Sequence, residues 1–208
     1  MKVLELFAGS RSIGKVCDKL GYESFSVDIK DFEGIDLVKD IELITPKDIP
    51  FTPDLLWASP PCTTYSLCAI SHHRNMDRSP KTEFAIKSDN LVKNTIKICQ
   101  YYPDAKFYIE NPRATLRKMQ FMVGIPSAVV WYCQYGDIRA KPTDIFSNNL
   151  RSLFNPEGWQ SRAKCYSGNP YCDHESAPRG SRTGTQGLKG NYERSKIPEQ
   201  LCYEILKS

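Results

Sequence analysis

The sequence lacks the hydrophobic segments that membrane and secreted proteins carry. No apolar run in its 208 residues approaches the roughly 18 residues of a membrane-spanning helix. The first apolar stretch, residues 1–6, contains Glu5 and therefore does not match a secretory signal peptide. We expect a cytoplasmic protein without a membrane partner.

Cysteine is too sparse for a fold held together by disulfides. Eight cysteines are scattered over the chain, and thiols stay reduced in the cytoplasm. They are candidates for one nucleophile and for a metal cluster. The remaining composition, 40% hydrophobic and 25% charged, excludes a disordered or fibrous chain, and the length fits one domain with a modest insertion.

Short apolar runs alternate with helical patterns through residues 1–149, which predicts a doubly wound α/β fold with a parallel sheet. A helix is expected from an N-cap at Ser79 to about Tyr101, with Phe84 on its apolar face. The last two strands, near residues 128–132 and 143–146, are expected to form a hairpin. Residues 150–190 show no period and predict a small irregular insertion, after which residues 191–208 return to the core with an amphipathic helix.

A glycine turn joins the first predicted strand to the first helix. Gly9 and Gly14 have nearly the spacing of a phosphate-binding loop, but Val16 stands where magnesium binding needs Ser or Thr, which argues against a nucleotide triphosphatase. The glycines instead suit a nucleoside cofactor, and Asp28, at the end of the second strand, suits its ribose hydroxyls. A tight turn without a ligand would look the same.

Two further strand ends carry reactive side chains. Cys62 follows Pro60-Pro61 at the end of a buried strand; a buried structural cysteine is the alternative, but a Pro-Pro pair does not favour a packed strand. Glu110-Asn111 ends the next strand, although alone it also fits a helix start. Together the two motifs place an acid beside a thiol, a pair that can attack and protonate an electron-poor ring.

In their order and spacing, these motifs resemble those of the DNA (cytosine-5) methyltransferase family, namely a Phe-x-Gly cofactor turn, Pro-Cys and Glu-Asn-Val. Residues 135–136 resemble the stretch before the family's Gln-x-Arg-x-Arg motif, and residues 191–205 resemble its closing motif. The resemblance implies an S-adenosylmethionine-dependent methyltransferase of the Rossmann-like fold. It also implies that the enzyme methylates carbon 5 of a cytosine flipped out of double-stranded DNA.

The resemblance assigns roles to residues. Cys62 would add to carbon 6 of cytosine, Glu110 would hold ring nitrogen 3, and Asn111 would orient its strand end. Because Arg-Ala-Lys-Pro-Thr at 139–143 replaces Gln-x-Arg-x-Arg, Lys141, and after it Arg139, is the candidate for the cytosine carbonyl. Cofactor contacts are expected at the turn, the strand ends and the closing segment: Phe7, Ala8, Gly9, Ser10, Ser12, Gly14, Asp28, Ile29, Asp40, Ile41, Ser59, Pro60 and Asn191.

The insertion is basic, with six Lys and Arg against three acids between residues 151 and 190. A segment so small is expected to contact phosphates and to recognise a short or relaxed sequence. Residues 63–81 form a polar loop that we expect to close over the DNA. The expected DNA contacts in these two segments are Thr63, Thr64, Arg74, Arg78, Arg162, Lys164, Arg179 and Arg182.

The insertion also contains Cys165-x6-Cys172-x-His174, three candidate zinc ligands. Structural zinc normally takes four, so zinc would need a donor from elsewhere, such as Cys68 or one of His72-His73. An unligated Cys/His loop is the alternative.

Two other functions fit the same motifs. One is cytosine-5 methylation of tRNA or modification of a free pyrimidine nucleotide. The other is a catalytically weak DNA-binding protein that kept the fold. For any of the three we expect a monomer.

Overall fold

The protein is described here from a computed structural model that covers residues 1–166, 168–175 and 190–208. One seven-stranded sheet has the order β3-β2-β1-β4-β5-β7-β6. The first five strands run parallel, while β7 lies antiparallel between β5 and β6. The strands are β1 Lys2–Leu6, β2 Glu23–Asp28, β3 Leu37–Val38, β4 Leu55–Ala58, β5 Lys106–Pro112, β6 Ser127–Trp131 and β7 Pro142–Ser147.

This topology confirms the predicted doubly wound fold. The strand order reverses between β1 and β4, and in such sheets ligands bind at the carboxyl ends of the strands beside that reversal. The predicted hairpin of the last two strands is also present, as the antiparallel pair β6 and β7.

Helices cover both faces of the sheet. They are α1 Ser12–Leu20, α2 Ile70–His73, α3 Glu83–Tyr101, α4 Asn191–Ser195 and α5 Glu199–Lys207. Strand side chains alternate between the faces, so Leu4 and Leu56 pack toward α3, whereas Val3 and Leu55 pack toward α1 and α5. None of the described helices has the length and apolarity to cross a membrane.

Helix α3 begins later than predicted. Its N-cap is Thr82, whose hydroxyl accepts a hydrogen bond from the Ala85 backbone N–H, rather than Ser79. Ser79 instead donates to Asp77 in the preceding turn. Phe84 is half-exposed and stands edge-on to His73, so its assignment to the apolar face was wrong.

The part of the insertion that the structure describes, residues 150–166 and 168–175, forms neither helix nor strand. Trp159 is buried and stacks edge-on against Tyr108 of β5 with ring centroids 6.2 Å apart. Glu175 forms a β-bridge with Arg139. The insertion is therefore attached to the sheet through a few specific contacts.

Candidate active site

The two strand ends predicted to carry reactive groups are adjacent. Strands β4 and β5 are paired, with Ala58 opposite Ile109, so Glu110-Asn111 lies beside the segment that leads to Cys62. The Asn111 side-chain amide donates to the Pro60 carbonyl oxygen at 2.9 Å. This bond ties the Pro-Pro-Cys segment to β5. The buried Asn111 Oδ1 has no hydrogen-bond partner among the described residues.

Glu110 is buried and has two partners from the antiparallel half of the sheet. The Tyr132 hydroxyl donates to Glu110 Oε1 at 2.8 Å, and Lys141 Nζ lies 3.6 Å from the same oxygen. Lys141 also lies over the Tyr132 ring, 4.6 Å from its centroid. The structure therefore places Lys141 beside Glu110, and both were predicted to act on the cytosine ring. Tyr132 is a third residue of this group.

Tyr132 was missed by the sequence interpretation, which assigned it to an apolar strand. It lies just beyond β6, where the chain turns into the 3₁₀ helix Tyr132–Tyr135. Its hydroxyl reaches Glu110 because β7 sits between β5 and β6 and brings the two ends together. No local pattern signals a contact of that kind.

Cys62 is a half-buried thiol whose ionisation depends on its surroundings. Burial raises the pKa of Cys62 above its ordinary value, the Glu110 charge raises it further, and the Lys141 charge lowers it. The thiolate is thus not the resting form at neutral pH. The charges of Lys141 and Arg194 favour it, and that of Lys141 has the larger effect.

Arg139, the second candidate for the cytosine carbonyl, is committed elsewhere. Its guanidinium is buried, forms an ion pair with Asp137 and donates to the backbone carbonyls of Arg194 and Lys196. The structure thus differs from that prediction. Arg139 fastens the closing segment to the sheet.

The glycine turn has an unusual backbone. Phe7, Gly9 and Arg11 all have φ between 45° and 57°, a region that residues other than glycine rarely adopt. The Asp28 carboxylate accepts from the backbone N–H groups of Gly9 and Lys30, both at 2.9 Å. The turn is thereby fixed at the carboxyl ends of β1 and β2.

A buried carboxylate that the sequence interpretation passed over lies under this turn. Glu5 accepts from the backbone N–H groups of Ile13 and Gly14, both at 3.0 Å, at the start of α1. Burial raises the pKa of Glu5 to about 7, although these hydrogen bonds, Ser26 and the Arg11 charge oppose the rise. The backbone N–H of Gly14 therefore helps to hold the turn by donating to Glu5.

The other residues that we expected to contact the cofactor differ in exposure and in hydrogen-bond partners. Ile29, beside Asp28, is 55% exposed and offers an apolar surface. Asp40 caps the 3₁₀ helix Ile41–Leu43 and pairs with Lys87 at 2.6 Å. The Ser12 hydroxyl accepts from the Ile197 backbone N–H at 3.1 Å, which joins α1 to the closing segment. The side chain of Asn191 lies outside the described residues.

The loop after Cys62 is anchored by an arginine that we expected to contact DNA. Arg74 is buried, pairs with Asp89 of α3 at 2.7 Å, and donates to the backbone oxygen and hydroxyl of Thr64. Thr64 is fully buried. The predictions for Arg74 and Thr64 therefore do not fit this structure, whereas Thr63 and Arg78 are exposed and their contact with DNA stays a prediction.

The residues of the insertion that we expected to contact DNA differ in their surroundings. Arg162 donates to Glu204 and Gln200 of α5 and to the Gln134 carbonyl, so its charge is partnered within the protein, contrary to the prediction. Lys164 is exposed. Arg179 and Arg182 lie outside the described residues.

The three predicted metal ligands come together with a fourth side chain. The group consists of Cys133, Cys165, Cys172 and His174. The fourth side chain is thus a cysteine of the 3₁₀ helix at residues 132–135, and the suggested donors Cys68, His72 and His73 do not belong to the group.

One relative matches the chain over nearly its whole length, although no family model matches. This relative is the "Probable DNA (cytosine-5)-methyltransferase" of Frog virus 3. The two are 28% identical over 219 aligned positions, which cover 99% of each.

Two solved structures share the fold. The Entamoeba histolytica methyltransferase EhMeth matches 79% of this chain with a TM-score of 0.55 and 15% identity. A mutant of Spodoptera frugiperda DNMT2 matches 78% with a TM-score of 0.51 and 18% identity. This chain covers only 57% and 55% of those two chains, and at such identities the likeness shows the fold alone. Together with the full-length viral relative, it confirms the predicted resemblance of this chain to the DNA (cytosine-5) methyltransferase family.

Proposed function

We propose that this protein transfers a methyl group from S-adenosylmethionine to carbon 5 of cytosine in double-stranded DNA, through a covalent adduct on Cys62. The observation that carries the proposal is that Cys62 lies beside the Glu110–Lys141 pair, at the carboxyl ends of β4 and β5. A thiol, a carboxylate and an ammonium group at one point match the needs of nucleophilic attack on a pyrimidine.

The residues at the glycine turn fit S-adenosylmethionine. Asp28 uses each carboxylate oxygen for one backbone N–H and keeps lone pairs for ribose hydroxyls. The exposed Ile29 offers an apolar face to adenine, and the strained turn lets the backbone approach the ligand closely. When bound, S-adenosylmethionine supplies an electrophilic methyl group.

Cys62 performs the first step in this mechanism. Carbon 5 of cytosine is a weak nucleophile, and addition of the thiolate to carbon 6 converts the ring into an enamine that can accept the methyl group. After the transfer, loss of the proton from carbon 5 expels the Cys62 thiolate and restores the aromatic ring. The thiol must first lose its proton, which its raised pKa opposes. The ammonium group of Lys141 assists that loss.

Glu110 and Lys141 stabilise the ring as negative charge builds on it. Glu110 gives a proton to ring nitrogen 3 during the attack and takes it back when Cys62 leaves, and Lys141 donates a hydrogen bond to the adjacent carbonyl oxygen. Tyr132 fixes the orientation of the Glu110 carboxylate, and Asn111 fixes the Pro60 carbonyl and hence the approach of Cys62. The base reaches this buried edge only when flipped out of the duplex.

The covalent step is tested with duplex DNA that contains 5-fluorocytosine. Fluorine cannot leave carbon 5 as the proton does, so the adduct should accumulate as a cross-linked species on denaturing gels. We expect the cross-link with the native chain and with the control Cys68→Ala, and none with Cys62→Ala. A cross-link that survives Cys62→Ala would refute the mechanism.

The substrate is tested by radiolabel transfer from S-adenosylmethionine to duplex DNA, tRNA and free pyrimidine nucleotide. We expect label in duplex DNA alone. Label in tRNA or in the free nucleotide would show that the proposed substrate is wrong, while the proposed methyl-transfer reaction would still stand. Binding to DNA without any transfer would favour the catalytically weak DNA-binding protein.

A further inference from the structure

Three cysteines and one histidine converge at a point that the methyl-transfer mechanism does not use. Cys133 belongs to the 3₁₀ helix that follows β6, while Cys165, Cys172 and His174 belong to the insertion. One ligand atom from each lies within 4.8 Å of the other three. Side chains separated by up to 41 positions thus meet in a volume the size of one coordination sphere.

The spacing suits a tetrahedral ion. With Zn–S bonds of about 2.3 Å, the sulfur atoms of a tetrahedral site stand about 3.8 Å apart. Cys165 Sγ and His174 Nδ1 already lie 3.7 Å apart. The widest pair needs to close by only about 1 Å to reach that geometry.

Amide groups surround the sulfur atoms as an outer shell. Gln134 Nε2 lies 3.6 Å from Cys172 Sγ and 3.9 Å from Cys133 Sγ, and Asn169 Nδ2 lies 3.5 Å from Cys165 Sγ. Hydrogen bonds donated to thiolates offset their negative charge and hold the ligands in position. Such donors are typical of a metal site.

The insertion needs a cross-link because it has almost no core. Of its described residues, only Gly158, Trp159 and Cys165 are buried. A short segment without a hydrophobic core is commonly stabilised by a structural metal. Three thiolates and one imidazole are the ligand set of closed, structural zinc sites, with no position left open for chemistry.

We propose that these four side chains bind one structural zinc ion, which attaches the insertion to the catalytic core: Cys133, Cys165, Cys172 and His174. Cys133 directly follows Tyr132, the residue that holds Glu110. Glu175 directly follows His174, and its backbone N–H donates to the Ile138 carbonyl oxygen at 2.9 Å. The ion therefore sits between the insertion and the strand end that precedes Tyr132.

The test is the metal content of the full chain, purified under reducing conditions and measured by mass spectrometry of the elements. We expect one zinc per chain in the native protein and in the control Cys68→Ser. Cys172→Ser and His174→Ala should lose it. Gln134→Ala, which removes only outer-shell donors, should weaken zinc affinity by about tenfold or more.

A second measurement does not depend on the folding of any variant. The native chain is stripped with a chelator and titrated with Co²⁺, and saturation at one ion with a thiolate-to-cobalt charge-transfer band supports the site. A native chain with no more zinc than Cys172→Ser and no such cobalt band would overturn the proposal. So would a disulfide between any two of the three cysteines. Neither result bears on the Cys62 adduct.

Discussion

The hydroxyl of Tyr132 donates a hydrogen bond to Glu110 Oε1 at 2.8 Å, and both side chains are buried. A hydrogen bond in a buried site of low dielectric is strong and holds the carboxylate in one orientation. Tyr132 thus acts as a positioning residue for Glu110. It does not itself need to touch the substrate.

Tyr132→Phe removes this donor and should reduce the rate of methyl transfer by about 10- to 100-fold, since a hydrogen bond to a charged group contributes about 1.5–3 kcal/mol. Single-turnover kinetics on duplex DNA would measure it. Tyr135→Phe is the matched control, because that hydroxyl accepts from the Arg162 backbone N–H and not from the site. Equal rates for the two variants would contradict the positioning role.

The ionisation of Cys62 should respond to its two charged neighbours. Because the pKa of Cys62 is raised by burial and by Glu110 and lowered by Lys141, alkylation by iodoacetamide should speed up as the pH rises from 7. Glu110→Gln should shift this profile to lower pH, and Lys141→Met should shift it to higher pH.

Peptide mass spectrometry would follow this alkylation, with the exposed Cys68 of the same sample as a reference. Superimposed profiles for the native chain and both variants would show that neither charge acts on the thiol.

The buried pair of Arg74 and Asp89 should control the stability of the loop after Cys62. Arg74→Met leaves the Asp89 carboxylate buried with Tyr65 as its remaining partner, and should cost about 3 kcal/mol or more in the free energy of unfolding. Urea denaturation would measure it. Arg78→Met, on the exposed side of the same loop, should leave stability near the native value. A loss of similar size in both variants would rule out the pair as the cause.

Glu5 should make the protein less stable as the pH rises. Its pKa in the folded chain is about 7, against 4.5 ordinarily, so the folded state holds a proton that the unfolded state has lost over that interval. The stability contribution is therefore complete below pH 4.5 and is lost as the pH rises through 7.

Measured between pH 5 and 8, the native chain should lose up to about 3 kcal/mol more than Glu5→Gln, in which this group cannot ionise. Other groups titrate alike in both proteins and cancel in the difference. Parallel pH dependences of the two unfolding free energies would show that Glu5 is ionised throughout.

Local patterns in the sequence determined the fold class and most of the site. Alternating strands and helices predicted a doubly wound sheet. The motifs at two strand ends predicted that Cys62 and Glu110 would lie side by side, and a third motif placed Asp28 at the glycine turn. These predictions follow from adjacent residues, because a parallel sheet brings the carboxyl ends of its strands to one edge whatever the details of packing.

The tertiary structure decided which polar side chains face the site and which hold the fold. Arg74 and Arg162 were expected to contact DNA, but they pair with Asp89 and Glu204. Arg139 was expected at the cytosine carbonyl, but it pairs with Asp137 and donates to the backbone carbonyls of residues 194 and 196.

Tyr132 reaches Glu110 because β7 lies between β5 and β6. Cys133 meets Cys165, Cys172 and His174 because the insertion folds back on the segment after β6. Burial and pairing across distant segments, which set the cost of each charge, leave no mark on the neighbouring sequence.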